Sequence, residues 1–151
     1  MKNDQYFMSL ALQEAKKAKS VGEVPVGCII ADSDGKIASK GHNLCEKQND
    51  PTAHAEIVAI RKLSKKTQSW RLEGKSIYCT LQPCLMCMGA IVNSRIERLV
   101  YGTDDPRLLE INYIYELEDI YPPVKKLQIT KNILKEDCAL MLKEFFSTLR
   151  T

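Results

Sequence analysis

Apolar positions recur along this chain in blocks whose spacing switches between helical and extended. Over residues 4–21, Phe7, Leu10, Ala11, Ala15 and Ala18 return every three or four positions, which predicts an amphipathic helix ending near Gly22. Lys16, Lys17 and Lys19 beside that stripe read as a solvated face that also complements the helix dipole. Residues 26–31 form a continuous apolar run, as in a buried strand. The turn residues Asp32-Ser33-Asp34-Gly35 follow, and residues 36–43 return as an antiparallel partner closed by His42 and Asn43. Asp50-Pro51-Thr52 opens a helix over 54–66, with Ala55, Val58, Ala59, Lys62 and Leu63 as its packing stripe. A third strand is predicted over 76–81, a helix from Pro83 carrying Ile91 and Val92, and a fourth strand over 98–102. Residues 103–124 keep no clear period. Positions 108–113 suit a helix, and Tyr121-Pro122-Pro123 is expected to end it. A short edge strand over 126–130 and a helix over 134–149 complete the chain, the latter striped by Leu134, Cys138, Met141, Leu142, Phe145 and Leu149.

This alternation predicts a three-layer α/β/α sandwich, a mixed five-stranded sheet with helices on both faces, built as one domain over residues 1–151. With 44% hydrophobic and 27% charged residues the composition is that of a globular protein, and it adds little to the pattern. A net charge of +3 permits nucleic-acid binding without arguing for it. No apolar run approaches a membrane span, and residues 1–5 lack the apolar core of a signal peptide, so a cytoplasmic location is expected. In such a reduced setting the six cysteines point to metal binding or burial and not to disulfides. Cys28, Cys79 and Cys138 lie within apolar patterns, where buried free thiols are expected.

The chemistry concentrates in His54-Ala55-Glu56 and Pro83-Cys84-Leu85-Met86-Cys87. One imidazole and two thiols make three metal ligands, which leave a fourth tetrahedral position for water, the mark of a catalytic site. Glu56 is a carboxylate placed to carry that water's proton. Residues two apart on a helix do not share a face, so His54 must lie in the first turn or just before it. Each half alone is weak. A Cys-x-x-Cys pair also serves redox or structural zinc sites, and His-x-Glu is common. A structural site needs a fourth ligand, for which Cys79 is the nearest candidate. Jointly, with a helix start at each half, they point to catalysis. His42 at a strand end reads as a hydrogen-bonded surface residue, while Asn43 is placed to border a pocket. Arg61, Lys62, Lys65, Lys66, Arg71 and Lys75 read as a solvated basic stretch.

These motifs resemble the zinc-dependent cytidine and nucleobase deaminases. Residues 23–27, 41–43, 50–56, 93–96 and 139–146 are more narrowly similar to the bacterial tRNA-specific adenosine deaminases, and the likeness covers most of 5–150. The resemblance implies that His54, Cys84 and Cys87 hold one Zn²⁺, although iron accepts a similar donor set, and that Glu56 shuttles protons. It implies that Asn43 bonds the target base, that backbone near Val26 and Ala53 lines the pocket, and that Asp105 contacts the nucleotide backbone. The implied reaction is hydrolytic deamination of the wobble adenosine in a tRNA anticodon loop, by a homodimer that accepts a flipped base. Two positions depart from the family pattern. Gln82 stands where an acidic residue is usual before Pro-Cys, and residues 107–115 are bulky and apolar where a loop of small residues and glycine is usual. Deaminases of a free nucleobase or nucleoside (guanine, cytosine or adenosine) share the zinc motifs and remain the alternative. A catalytically silent zinc scaffold would have no need of Glu56. Arg150, beside Phe145 and Phe146, is a candidate phosphate ligand.

Overall fold

Turn chemistry and strand alternation together build the sheet. Asp32 N–H donates to Lys36 O at 2.8 Å and Gly35 takes φ +85°, which reverses the chain between β1 (Gly27–Ala31) and β2 (Ile37–His42). The computed structural model describes residues 2–149, so Arg150 lies outside the described residues. β3 (Ser76–Leu81) pairs antiparallel to β1, then β4 (Arg98–Thr103) and β5 (Gln128–Thr130) follow in parallel, giving one mixed sheet in the order β2-β1-β3-β4-β5.

Because side chains alternate across a strand, the sheet sorts its residues into two cores. Cys28, Ile30, Ile77, Cys79, Leu99 and Tyr101 pack with α3 (Ala55–Thr67) and α4 (Leu85–Asn93). Ile29, Ala31, Tyr78 and Val100 pack on the other face with Phe7, Met8 and Ala11 of α1 (Asp4–Ser20) and Cys138 of α5 (Lys135–Leu149). The three-layer sandwich expected from the alternation is therefore the fold observed. A bidentate pair, Arg98 Nη1 and Nη2 to the two Asp4 carboxylate oxygens at 2.7 Å each, ties the start of α1 to β4.

Two stretches differ from expectation. The connection between β4 and β5, residues 104–127, holds two 3₁₀ helices, Ile111–Leu117 and Pro122–Lys126, and the prolines begin the second instead of ending an element. Proline suits a first helical position, where its missing N–H needs no partner. Ile111, Ile114, Val124 and Leu127 of this stretch are buried on the α3/α4 side, and Tyr115 Oη donates to Leu127 O at 2.8 Å. The second difference is α2 (Cys45–Gln48), a single turn that no periodicity announces. Its N-terminal amides, Glu46 N and Lys47 N, each donate to the buried Glu23 carboxylate at 3.0 Å.

Gly41 on β2 permits the close seating of α3. A β-carbon there would stand 2.5 Å from Ala55 O and 2.8 Å from Ala59 N. Gly41→Ala is expected to cost about 1–3 kcal/mol by overpacking, seen as a lower urea midpoint with an unchanged slope.

Candidate active site

Two helix starts converge below the sheet edge. His54 immediately precedes α3 with extended backbone (φ −70°, ψ 156°), so its side chain leaves the chain before the helical path begins. This is what allows it to share a site with Glu56, two residues on and inside the first turn. Cys84 precedes α4 in the same way (φ −71°, ψ 174°), and Cys87 follows within the first turn. Neither His54 nor Cys84 caps its own helix through its side chain, which leaves both free to face a shared point.

That shared point has the dimensions of a metal site. His54 Nδ1 lies 3.5 Å from Cys84 Sγ and 3.5 Å from Cys87 Sγ, and all three donor atoms lie within 4.8 Å of one another. A tetrahedral zinc with Zn–S of about 2.3 Å and Zn–N of about 2.0 Å spaces its sulfur and nitrogen ligands by about 3.5 Å. The residues present therefore fit the ion. Among the described residues no fourth His, Cys, Asp or Glu joins the group. Cys79 is fully buried and faces its cross-strand neighbour Cys28, the two sulfurs 3.8 Å apart.

A cleft of about 160 Å³ opens beside these donors, lined among others by Val26, Asn43, His54, Glu56, Cys84 and Asp105. Glu56 is buried, and its Oε1 has no hydrogen-bond partner; Asn43 Oδ1 has none either. A buried acceptor left unpaired costs about 1–3 kcal/mol. Two such acceptors in one small cleft mark it as a place for donors supplied by water or substrate.

The charges at the site are mutually dependent. Burial pushes the Glu56 carboxyl above the usual range, opposed in part by its hydrogen bond with Cys87. The hydrogen bond from Cys87 lowers the Cys84 thiol to about 4, with His54 assisting, while the same bond and burial push Cys87 up. Contact with Cys84 raises His54 against the effect of burial. A dication among these donors replaces the proton they share and lets both thiols ionise.

The other expected residues divide. Val26, Asn43 and Asp105 line the cleft, as do His54 and Ala55 next to Ala53; Ala53 itself is fully buried and its carbonyl accepts from Leu44 N at 2.9 Å. His42 turns away, its Nδ1 3.8 Å from the Glu14 carboxylate on α1. The Asp105 carboxylate is taken by Arg107, whose Nε donates to Oδ1 at 3.0 Å and Nη2 to Oδ2 at 2.8 Å. It is thus the guanidinium, 79% exposed, that meets solvent at the rim. Val24, Leu81, Gln82 and Arg107 also line the cleft and were not expected there. Only the last two carried a signal, as positions where the chain departs from the family pattern.

Comparison with known proteins agrees with this site. Residues 1–103 match the family described as the cytidine and deoxycytidylate deaminase zinc-binding region. The chain is 42% identical over 147 residues to the tRNA-specific adenosine deaminase of Haemophilus influenzae, covering 97% of this chain and 85% of that protein. A solved chain from studies of A-to-I editing by tRNA:A34 deaminases superposes with a TM-score of 0.82 at 34% identity, covering 91% of this chain and 99% of its own. The guanine deaminase of Bacillus subtilis superposes with a TM-score of 0.65 at 32% identity, covering 76% of each chain.

Cys84→Ser or Cys87→Ser is expected to reduce bound zinc from one equivalent per chain to a small fraction of that by atomic absorption. Cys45→Ser, whose thiol lies outside the donor group, should retain the full equivalent.

Proposed function

We propose, from the premise that the chain belongs to the cytidine and deoxycytidylate deaminase zinc-binding family, a zinc-dependent hydrolytic deaminase. Its reaction converts the wobble adenosine of a tRNA anticodon loop to inosine with release of ammonia, in keeping with the relatives at about this chain's full length. The observation that carries this reading is the unpaired, buried Glu56 carboxylate oxygen beside three converging metal donors.

His54 Nδ1 and the Cys84 and Cys87 sulfurs would hold the zinc. When bound, it supplies a water acidified towards neutral pH. Glu56 takes up two protons in turn at Oε1, one from the attacking water and one from the hydroxyl group that this water becomes on C6. It delivers the first to the purine ring nitrogen beside C6 and the second to the departing amine. Its buried Oε1, without a hydrogen-bond partner in the protein, is left available at the cleft to take and give a proton there. Asn43 Oδ1 accepts a hydrogen bond from the base and fixes its orientation, while Val24, Val26 and Leu81 wall the ring from solvent. A cleft this small takes a single base that has left its stack.

We further assign residues 1–151 to one deaminase domain. A homodimer is supported by exposed apolar side chains on α4 (Leu85, Met86) and on the stretch between β4 and β5 (Leu109, Ile120). No helix among the described residues is long and apolar enough to cross a membrane, and a tRNA substrate is in keeping with a cytoplasmic location. Similarity to a guanine deaminase favours, as the second reading, deamination of a free base.

Glu56→Ala is expected to keep its zinc and to lose ammonia release by about 100-fold or more; full activity in that variant would overturn the proton-carrying role. An ammonia assay comparing an anticodon stem-loop with guanine, cytosine and adenosine separates the two substrates. Turnover of the stem-loop is expected, and rapid turnover of a free base with an inert stem-loop would instead establish the second reading.

A further inference from the structure

The two departures from the family pattern, at position 82 and across 107–115, touch each other. Gln82 is 3% exposed and lies between β3 and the Pro83-Cys84 start of α4. Its backbone N–H donates to Thr103 O at 2.9 Å, which sets the side chain towards the segment that leaves β4. Its Oε1 accepts from Asp105 N at 3.1 Å, and its Nε2 donates to Leu109 O at 2.8 Å. Both partners are main-chain atoms whose roles are fixed, one a donor and one an acceptor, so the amide can be oriented in only one way. Between these two points lies the Asp105–Arg107 pair, with Leu108 N closing the turn on Asp105 O at 3.0 Å.

We propose that Gln82 is a positioning residue: its amide clasps both ends of segment 105–109 and so sets the cationic rim that a polynucleotide meets on its way to the cleft. A carboxylate at this position offers acceptors only. It would keep the contact with Asp105 N and turn an oxygen against Leu109 O, releasing the far end. The bulky segment and the amide before Pro83 are therefore one coupled feature, because this segment presents a carbonyl where only a donor can meet it. Arg107 is held on its inner side by Asp105 and presents its outer N–H groups to solvent. A phosphate beside an extruded base finds that donor already oriented; a free nucleobase, having no phosphate, gains nothing from it.

The proposal rests on the polynucleotide deaminase reading, and its test separates the two. Amide hydrogen exchange on the zinc-loaded enzyme without substrate reports the clasp alone. Gln82→Met should speed exchange at Asp105 and Leu108 by about tenfold or more, whereas Gln82→Glu should leave Asp105 protected. Steady-state assays on an anticodon stem-loop then report its purpose. Gln82→Glu and Gln82→Met should each raise KM about tenfold while kcat stays within about twofold. Arg107→Ala should do the same, and combining it with Gln82→Met should add little, since both remove one oriented donor. Unchanged exchange at Asp105 in Gln82→Met overturns the clasp. A fall in kcat at constant KM, or effects that multiply with Arg107→Ala, overturns its role at the rim. An inert stem-loop with the wild-type enzyme, alongside altered exchange, would leave the clasp standing and overturn the reading of the substrate.

Discussion

Three potential anions, Glu56, Cys84 and Cys87, share one small, largely buried volume with a single imidazole. Charge on one raises the proton affinity of the next, Cys84 acting on Glu56 and both acting on Cys87, while hydrogen bonds from Cys87 lower the other two in turn. Uncompensated charge in such surroundings is expensive, and only a cation at the point they share makes the group favourable as a whole. The starts of α3 and α4 contribute in the same direction, since both bring the positive ends of their dipoles to that point. Much of the rest of the molecule can be understood as what holds these groups together against their repulsion.

That holding is done by close backbone approach on one side and by tied loops on the other. The bare Cα of Gly41 lets α3 settle on β2 near the turn that carries Glu56. The buried Glu23 carboxylate fastens the stretch before β1 to α2, and Asn43 N–H donates to Val26 O at 3.1 Å, so the walls bearing Val26 and Asn43 move as one. Across the cleft, the chain leaving β4 reaches the site through Asp105 and Arg107. Rigid elements thus carry the metal donors and the proton carrier, while stapled connections carry what faces the substrate.

The parts legible from residues alone were those whose cause is local. A period of three to four residues placed α1, α3 and α5, while a continuous apolar run placed β1 and the turn residues after it placed β2. The argument that His54 and Glu56 cannot share a helical face required His54 to lie in the first turn of α3 or just before it, and it lies just before. The illegible parts depend on partners distant in the chain. α2 exists because Glu23, more than twenty positions earlier, accepts its first amides. The 103–124 stretch lacks a period because 3₁₀ helices bury isolated residues such as Ile111, Ile114 and Val124 instead of a stripe. Gln82 carries no pattern of its own; its meaning lies in a carbonyl 27 positions away. Ala53 shows the converse, a motif residue whose carbonyl and N–H are both engaged by the loop before it, at Leu44 and Asp50.

The bidentate Asp4–Arg98 pair closes a loop of 94 positions between the opening turn of α1 and the first residue of β4. Such a contact is available only once most of the polypeptide exists. The same carboxylate also accepts from Tyr78 Oη of β3 at 3.2 Å, and the Tyr78 ring stacks on Phe7 of α1 with centroids 4.8 Å apart. One acidic side chain at the start of the first helix is therefore a joint to two adjacent parallel strands, and it pins the α1 layer across the seam between β3 and β4.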